Sequence, residues 1–258
     1  MPLVETALQD GCFTITLADV EGRNTLSGAL TAELGSALTR ADEDPDVRVV
    51  VLTNSGRVFC AGANLREQSG DAASIKGVGL VDLLNTIRSS PKPYVGRLAG
   101  HCVAGGMGLA AALDISVAID DAKFGFTEVR VGVAPAIISV ICLPKMRPAD
   151  ASAAFLRGNR FDGTEAARLG LVNYAVPVDQ LDEQVDAIVD DLLAGGPNAL
   201  AAAKSLTTRV PTMTRDDAFG WAEQLSTSLF RSEEAVEGMR SYLDKKPAPW
   251  TIDGGRSQ

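Results

Sequence analysis

Hydrophobic and polar positions alternate with two different periods along the chain, and each change of period marks a new element. The opening runs VETALQ and CFTITL alternate at every second position, and Asp10-Gly11 between them tolerates the positive φ of a tight turn. These runs predict a β-hairpin. Apolar side chains next recur at every fourth position, which predicts an amphipathic helix through Leu26, Leu30, Leu34, Leu38 and Ala41.

Strand and helix patterns alternate through the first two thirds of the sequence. The β-branched run at residues 47–53 predicts a buried strand. The patterns that follow predict a helix at residues 80–88, a strand at residues 94–98, a glycine-rich helix beginning at Gly105 and a strand at residues 115–119. Such alternation is typical of an α/β fold with parallel strands.

The last third of the sequence has a different character. After a strand at residues 172–176, the periodicity predicts only helices, at residues 180–193, 197–208, 215–230 and 233–243. The breaker cluster Gly195-Gly196-Pro197 precedes most of them and places proline at the first position of a helix. We therefore predict a core domain at residues 1–195 and a helical region at residues 196–258.

Composition and charge narrow the classes of function. The 258 residues include 24 Lys and Arg against 33 Asp and Glu, which gives a net charge of −9 and no basic stripe for nucleic-acid phosphates. The longest mostly apolar stretch, residues 131–143, is shorter than the roughly 20 residues that span a membrane. The N-terminal residues lack a signal-peptide pattern, and four scattered cysteines form no C-x-x-C pair. We expect a cytoplasmic protein without nucleic-acid or membrane partners.

Histidine-based chemistry is restricted to one position. His101 is the single histidine, which excludes a multi-histidine metal site, and we expect no metal. A Ser-His-Asp or Cys-His device would also have to use that residue. Carboxylates and backbone amides are therefore the expected catalytic groups.

Three segments rich in small residues follow predicted strands. They are FCAGANL at residues 59–65, GHCVAGGMGL at residues 100–109 and FGFTEVRVG at residues 124–132. Because ligands bind at the carboxyl ends of parallel strands, these segments predict one site that the backbone approaches closely. The alternative is that their glycines only allow tight packing of helices on strands.

One short match within these segments suggests a different chemistry. The run GMGLAA beginning at Gly106 fits G-x-G-x-x-A, and Glu128 follows 22 residues later, as in a dinucleotide-binding fingerprint. In that fingerprint the acid ends the next strand, whereas here Asp120 and Asp121 end it and come too early. The match also leaves FCAGANL unexplained, so we disfavour a nicotinamide enzyme.

Five segments together resemble the crotonase, or enoyl-CoA hydratase/isomerase, superfamily. FCAGANL is similar to its F-x-A-G-A-D-[LI] loop, GHCVAGGMGLAAALDISVA to its G-x-x-x-G-G-G-x-x-L-x-x-x-C-D-x-x-x-A segment, and KFGFTEVRVGVAPA to its F-x-x-P-E-x-x-x-G-x-x-P segment. RFDGTEAARLGLVNYAV and EGMRSYLDKKP resemble later family segments. The resemblance covers essentially the whole chain and keeps the family's order.

The resemblance implies a spiral of β-β-α repeats with a C-terminal helical region that assembles trimers. It also implies acyl-CoA thioesters as ligands, with coenzyme A entering as part of the substrate and no separate cofactor. By motif position, the N–H groups of Ala63 and Gly105 hold the thioester carbonyl, and Glu128 exchanges a proton with the α-carbon. A helix N-terminus at Gly105 favours negative charge there. The pKa of the glutamate is expected to be raised by its apolar neighbours Phe124, Phe126, Val129 and Val131.

Two positions depart from the family pattern. Gly108 stands where the family has its first, water-activating glutamate, and Asn64 replaces an aspartate. His101, where the family varies, is expected to pack its loop rather than to donate a proton. A single glutamate is compatible with hydratases resembling bacterial methylglutaconyl-CoA hydratases and with Δ3,Δ2-enoyl-CoA isomerases, which need only one base. We expect the hydratase and keep the isomerase and a non-catalytic acyl-CoA-binding protein as alternatives.

The remaining substrate contacts follow from motif position alone. The residues predicted to bind substrate are Arg23, Ala61, Asn64, Leu65, His101, Gly108, Tyr242 and Lys245. Arg23 is expected to contact a CoA phosphate, Ala61 and Leu65 to line the adenine pocket, and Tyr242 and Lys245 to reach in from a neighbouring subunit. The expected assembly is a homotrimer or a dimer of trimers, and residues 68–79 are expected to set the length of the acyl pocket.

Overall fold

Two sheets organise the fold. The computed structural model describes residues 1–70 and 76–251, so part of the segment expected to set the acyl-pocket length and the end of the predicted helical region lie outside the described residues. The strands are β1 (Val4–Gln9), β2 (Cys12–Leu17), β3 (Val49–Asn54), β4 (Val58–Cys60), β5 (Tyr94–Leu98), β6 (His101–Val103), β7 (Ile115–Ile119), β8 (Phe124–Gly125) and β9 (Tyr174–Val176). The larger sheet has the order β1-β2-β3-β5-β7-β9, and the smaller has the order β4-β6-β8. Among the strands of the described residues, β1 and β2 pair antiparallel and the other pairs are parallel.

Helices follow most of the strands and fill the C-terminal part of the chain. They are α1 (Gly28–Glu43), α2 (Leu65–Gln68), α3 (Leu80–Ser89), α4 (Gly105–Ala112), α5 (Ala136–Cys142), α6 (Pro148–Arg157), α7 (Gly163–Arg168), α8 (Leu181–Ala194), α9 (Pro197–Arg209), α10 (Arg215–Phe230) and α11 (Glu233–Leu243). The predicted α/β class with parallel strands is confirmed. The bounds of β5, β7, α10 and α11 agree with the periodicity.

The first predicted helix begins later than its leucine repeat indicates. Helix α1 starts at Gly28, because Ser27 caps it by accepting a hydrogen bond from Leu30 N at 3.2 Å. Leu26 instead pairs with the first site segment, and its N–H donates to Gly62 O at 2.8 Å. The leucine repeat therefore extends one turn beyond the helix.

The smaller sheet lies within the three site segments, for which the sequence predicted no strand. Each segment contains a strand of only two or three residues, β4, β6 and β8. A strand this short shows no detectable alternation of apolar and polar positions, so periodicity could not reveal it.

The larger sheet is covered on both faces. Side chains such as Phe13, Val50 and Leu52 point into the main core with α1, α3 and α4, whereas Cys12 and Val49 point into a second cluster under α8. Neighbouring residues of one strand therefore serve opposite cores. This two-sided burial is typical of parallel sheets and explains the nearly continuous apolar run of β3.

An ion pair between the buried Lys204 and the half-buried Asp114 joins α9 to the core. Lys204 Nζ lies 2.8 Å from Asp114 Oδ2 and donates to the carbonyls of Ile87 and Lys92 at 2.8 and 2.9 Å. Burial raises the pKa of Asp114 and lowers the pKa of Lys204, and each charge partly offsets the shift of the other. Helix α9 begins at Pro197 as predicted. The division into two domains stays a prediction.

Within residues 1–70 and 76–251, no helix combines the length and the apolar character needed to cross a membrane.

Candidate active site

The three site segments meet at one edge of the smaller sheet. β4 pairs with β6 and β6 pairs with β8, all in parallel, so the segments that follow them leave the sheet on the same side. A cleft of about 920 Å³ opens there and is lined by residues of all three segments, including Ala63, Gly105 and Glu128.

The backbone N–H groups of Ala63 and Gly105 lie close together. A Cβ atom built on Gly105 would lie 3.6 Å from Ala63 N, and one built on Gly62 would lie 2.9 Å from Gly105 N. Gly62 also has a φ of +84°, so only glycine fits there without strain. In the described part of the chain, neither N–H donates to a protein acceptor, and both are available to a ligand.

The residue before Gly105 has a strained backbone. Ala104 adopts φ +52° and ψ −128°, a conformation that residues other than glycine rarely take. Its N–H donates to Gly125 O at 2.9 Å, and its carbonyl accepts from Met107 N at 2.8 Å. The sharp turn places Gly105 at the first position of α4, where the N–H has no acceptor within the helix and the helix dipole favours negative charge.

Glu128 reaches the cleft from the third segment. Phe126 is fully buried and packs on Phe155 with ring centroids 4.1 Å apart. A short 3₁₀ helix, Thr127–Val131, then carries Glu128 to the cleft. Arg130 secures this turn by donating to a carbonyl at the end of α6 at 2.8 Å. The glutamate is therefore carried by backbone that is anchored on both sides.

The carboxyl of Glu128 is only partly solvated. Its Oε2 atom is buried and has no hydrogen-bond partner among the described residues. Burial raises the pKa of Glu128, in the direction that its apolar neighbours predict. Among those neighbours Phe124 and Phe126 are fully buried, but Val129 and Val131 are exposed, so their predicted contribution to desolvation is reduced. A carboxylate in this environment is a stronger base than one in water.

Another side chain fills the space beside Gly108. This glycine is buried in α4 and does not line the cleft. A Cβ atom built on it would overlap Cγ2 of Ile138 and would lie 2.9 Å from Ile138 Cβ. Ile138 is the third residue of α5, is only 2% exposed and does line the cleft. An isoleucine therefore covers the position where the resemblance places a missing glutamate.

Arg23, Ala61 and Leu65 line the cleft beside the first segment. Ala61 N donates to Arg23 O at 3.2 Å, which holds the two segments together. The side chain of Arg23 is exposed, and Leu65 is 59% exposed. These three positions are compatible with the predicted contacts to a CoA phosphate and an adenine ring, and those contacts stay predictions.

Asn64 shapes its own loop. Its Oδ1 caps α2 by accepting from Arg66 N at 3.2 Å, and its Nδ2 donates to Glu67 Oε1 at 3.1 Å. Glu67 Oε2 in turn accepts from Gly28 N at 3.0 Å, which ties the loop to the start of α1. An aspartate at position 64 would place two carboxylates together, so this departure from the family pattern has a local structural reason.

Besides Gly108, three further residues predicted to bind substrate do not line the cleft. His101 lies in β6, and its Nδ1 accepts from Lys123 N at 3.0 Å, a contact that suits the expected packing role but not substrate binding. Tyr242 is 85% exposed on α11, and Lys245 follows that helix. Neither reaches the cleft of its own chain. Their contribution from a neighbouring subunit stays a prediction.

The cleft also contains residues that the sequence did not indicate. Thr25 adds a hydroxyl group, and Arg66 adds a second positive charge to the one that Arg23 provides. Arg66 directly follows FCAGANL in the sequence, and this position next to a site segment could have indicated that its side chain reaches the cleft. No comparable signal marks Ile138, because its importance depends on a contact with a glycine in another helix.

A larger, mostly parallel sheet, a smaller parallel sheet with a cleft at its edge and a helical C-terminal part define a crotonase-type fold. The family model for "Enoyl-CoA hydratase/isomerase" matches residues 7–253, and the chain belongs to that family. The prediction of a crotonase-like enzyme is confirmed at this level.

Relatives and solved structures extend this comparison over most of the chain. A relative from Thermus thermophilus is 33% identical over 239 residues, which are 90% of this chain and 94% of the relative. Enoyl-CoA hydratase EchA19 of Mycobacterium tuberculosis is 30% identical over 239 residues and 90% of each chain. The crystal structure of an enoyl-CoA hydratase from Mycobacterium smegmatis superposes with a TM-score of 0.87 at 28% identity, covering 97% of this chain and 99% of the other.

Proposed function

We propose that the chain is an enoyl-CoA hydratase, which adds water across the 2,3-double bond of an enoyl-CoA thioester. One observation carries the proposal: two N–H groups without protein acceptors share a cleft with one partly desolvated carboxyl. The N–H groups suit an oxygen that gains negative charge, and the carboxyl suits proton transfer beside it. Relatives named enoyl-CoA hydratase support the same reaction.

The reaction follows from these groups in two steps. With the thioester oxygen held by the N–H groups of Ala63 and Gly105, Glu128 accepts a proton from a water molecule as the water oxygen bonds to the β-carbon. The π electrons move onto the thioester oxygen and form an enolate. Glu128 then gives the proton to the α-carbon, the carbonyl re-forms, and the carboxylate is regenerated.

Charge development explains why this arrangement accelerates the reaction. The thioester oxygen is nearly neutral in the substrate and negative in the enolate, so the N–H groups and the N-terminus of α4 bind the enolate more strongly. Losing one such donor typically costs about 10²–10³ in rate. Burial of Glu128 makes it a stronger base, and a positioned general base typically contributes about 10²–10⁴.

Positive charge at the cleft supports a CoA thioester as the substrate. Arg23 and Arg66 line the cleft in a chain whose net charge is −9. They would pair with the phosphates of CoA, while the exposed side chain of Leu65 offers an apolar surface to the adenine. The protein thus provides local cations for a polyanionic ligand without being basic overall.

The filled space beside Gly108 also favours a second candidate, a Δ3,Δ2-enoyl-CoA isomerase. Isomerisation needs only one base, which takes a proton from the α-carbon and returns it two carbons away. Glu21 and Glu128 both line the cleft, but of these two only Glu128 belongs to the three site segments, and Ile138 occupies the place of a second acid there. The same cleft would hold the substrate of either reaction.

Glu128→Gln tests the assignment directly. We expect kcat for hydration of 2-butenoyl-CoA to fall by about 10²–10⁴, because glutamine keeps the size of the side chain but cannot act as a base. The affinity for the saturated butyryl-CoA should change little, since the N–H groups are untouched. The measurement follows the loss of the conjugated-enoyl absorbance and identifies the 3-hydroxy product by mass spectrometry.

Glu183→Gln, an exposed carboxylate on α8, is the matched control and should leave the rate unchanged. Conversion of 3-butenoyl-CoA without any hydration of the 2-enoyl isomer would replace the hydratase with the isomerase. Tight thioester binding without either reaction would instead identify a binding protein.

A further inference from the structure

Ile138 belongs to a wall of the cleft that carries no charge. The cleft-lining residues of this wall are Val131, Val133, Ala134, Pro135, Ala136, Ile137 and Ile138. The arginines of the cleft come from other segments, at positions 23 and 66. An acyl group placed against the wall contacts only hydrocarbon side chains. The third segment adds one ionisable side chain to the cleft, that of Glu128, and it is acidic.

This wall discriminates between acyl groups by their charge. A carboxylate on the acyl group would lose hydration against the wall and would gain no cation there. It would also approach Glu128, whose ionised form repels it. A hydrocarbon acyl group loses nothing polar and gains contact with the apolar surface.

The structure further shows why isoleucine fits at this position. Its Cγ2 and Cβ atoms lie directly over Gly108, where any larger residue would overlap them. Valine keeps both γ-carbon positions on Cβ, whereas alanine lacks both. Removing these atoms would open a notch between α4 and α5 that water can enter.

We propose, on the basis of the hydratase assignment above, that Ile138 determines acyl-group specificity by sealing the notch over Gly108 with an apolar surface. The cleft then accepts an uncharged hydrocarbon acyl group and rejects a carboxylated one. Ile138 acts through contact with the substrate, and Gly108 acts by leaving room for Ile138.

The test measures binding, so that it does not depend on turnover. Dissociation constants are determined by calorimetry for butyryl-CoA, glutaryl-CoA and free CoA, none of which carries the enoyl bond. We expect the wild-type protein to bind butyryl-CoA at least about tenfold more tightly than glutaryl-CoA. Ile138→Ala should weaken butyryl-CoA about tenfold and narrow this preference, with free CoA unchanged.

Two further variants separate specificity from a loss of folding. Ile138→Val should keep the wild-type preference because it keeps the branched Cβ. Gly108→Ala should weaken butyryl-CoA by pushing Ile138 into the cleft, and adding Ile138→Ala should recover part of that loss. Val140→Ala, on the same helix but 72% exposed and outside the cleft, is the control and should behave like the wild type.

Equal wild-type affinities for the two thioesters would overturn the proposal, as would an unchanged preference in Ile138→Ala. Failure of the hydratase assignment has a different signature. In that case the binding preferences would appear as described, but 2-butenoyl-CoA would not be hydrated.

Discussion

The core and the C-terminal helices of this protein bury their apolar side chains to very different degrees. The buried apolar residues of the described chain extend from Val4 to Leu193, whereas the buried side chain that stands out in residues 196–251 is charged, Lys204. Phe219, Phe230 and Leu243 in the same region are 70%, 66% and 79% exposed. One part of the chain is packed on itself, and the other presents an apolar surface.

The difference shows that the two regions are stabilised by different interactions. Core residues gain from burial within one chain, at about 25 cal/mol per Å² of apolar surface. Helices α9 to α11 obtain little of that gain in a single chain. Polar contacts attach this region to the core, among them the pair Lys204–Asp114 and the hydrogen bond that Arg48 donates to Trp250 O. Exposed apolar patches of this kind typically mark contacts between proteins, which agrees with the expected but untested homotrimer.

The largest expected effect concerns the attachment itself. Lys204→Met removes the buried cation of the pair. We expect it to lower the free energy of unfolding by about 3–5 kcal/mol, because the half-buried Asp114 loses its partner and the carbonyls of Ile87 and Lys92 lose their donor. Urea denaturation measures the change. Adding Asp114→Asn, which can still accept the hydrogen bond of Tyr94 N, should recover most of the loss. A single variant as stable as the wild type would show that the ion pair does not attach α9.

Two leucine substitutions, one in the core and one in the C-terminal helices, test whether the two regions differ in how much side-chain packing stabilises them. Leu34→Ala in the core should lower the free energy of unfolding by about 2–5 kcal/mol, since Leu34 is fully buried. Leu243→Ala, 79% exposed on α11, should change it by less than about 0.5 kcal/mol in the monomer.

The second leucine also reports on assembly. If α11 contributes to a trimer contact, Leu243→Ala should shift the sedimentation profile towards smaller species at micromolar concentration. A wild-type protein that sediments as a fully active monomer would contradict the expected assembly and the roles of Tyr242 and Lys245 in a neighbouring cleft.

A smaller effect is expected at the strained turn of the site. Ala104→Gly should raise the free energy of unfolding by about 1 kcal/mol, because glycine adopts φ +52° without strain. Thermal unfolding measures this gain. Activity measured in parallel shows whether the greater freedom of glycine disturbs the Gly105 N–H, which the alanine holds in place. A less stable variant would show that the backbone at Ala104 is not strained.

The smallest effect is a dependence of stability on pH at Glu128. Folding raises the pKa of this group, so the folded protein binds more protons than the unfolded chain just above the ordinary glutamate value. Its contribution to stability is therefore present at low pH and is lost as the pH rises through the raised pKa. Glu128→Gln should be slightly more stable than the wild type at neutral pH, with the difference disappearing below the ordinary value. Identical unfolding curves at all pH values would show that the carboxyl is solvated.

The sequence predicts the helices of this fold better than its second sheet. Helices α10 and α11 are long enough to show their period, whereas β4, β6 and β8 have two or three residues each. The site segments are predictable from their small residues, because a backbone that approaches a ligand closely requires small side chains. The role of Ile138 could not be predicted, since it depends on a contact between α4 and α5 that periodicity does not encode.

The contact between Gly108 and Ile138 restricts the order in which this protein could change by mutation. A glutamate introduced first at position 108 would collide with Ile138, so that step leads to a disrupted protein. Replacing Ile138 first by a smaller residue leaves a cavity, typically a loss of about 2–5 kcal/mol, into which a later glutamate could extend. A change from one glutamate in the site to two must therefore begin with the replacement of Ile138. The residues at positions 108 and 138 are thus expected to change together.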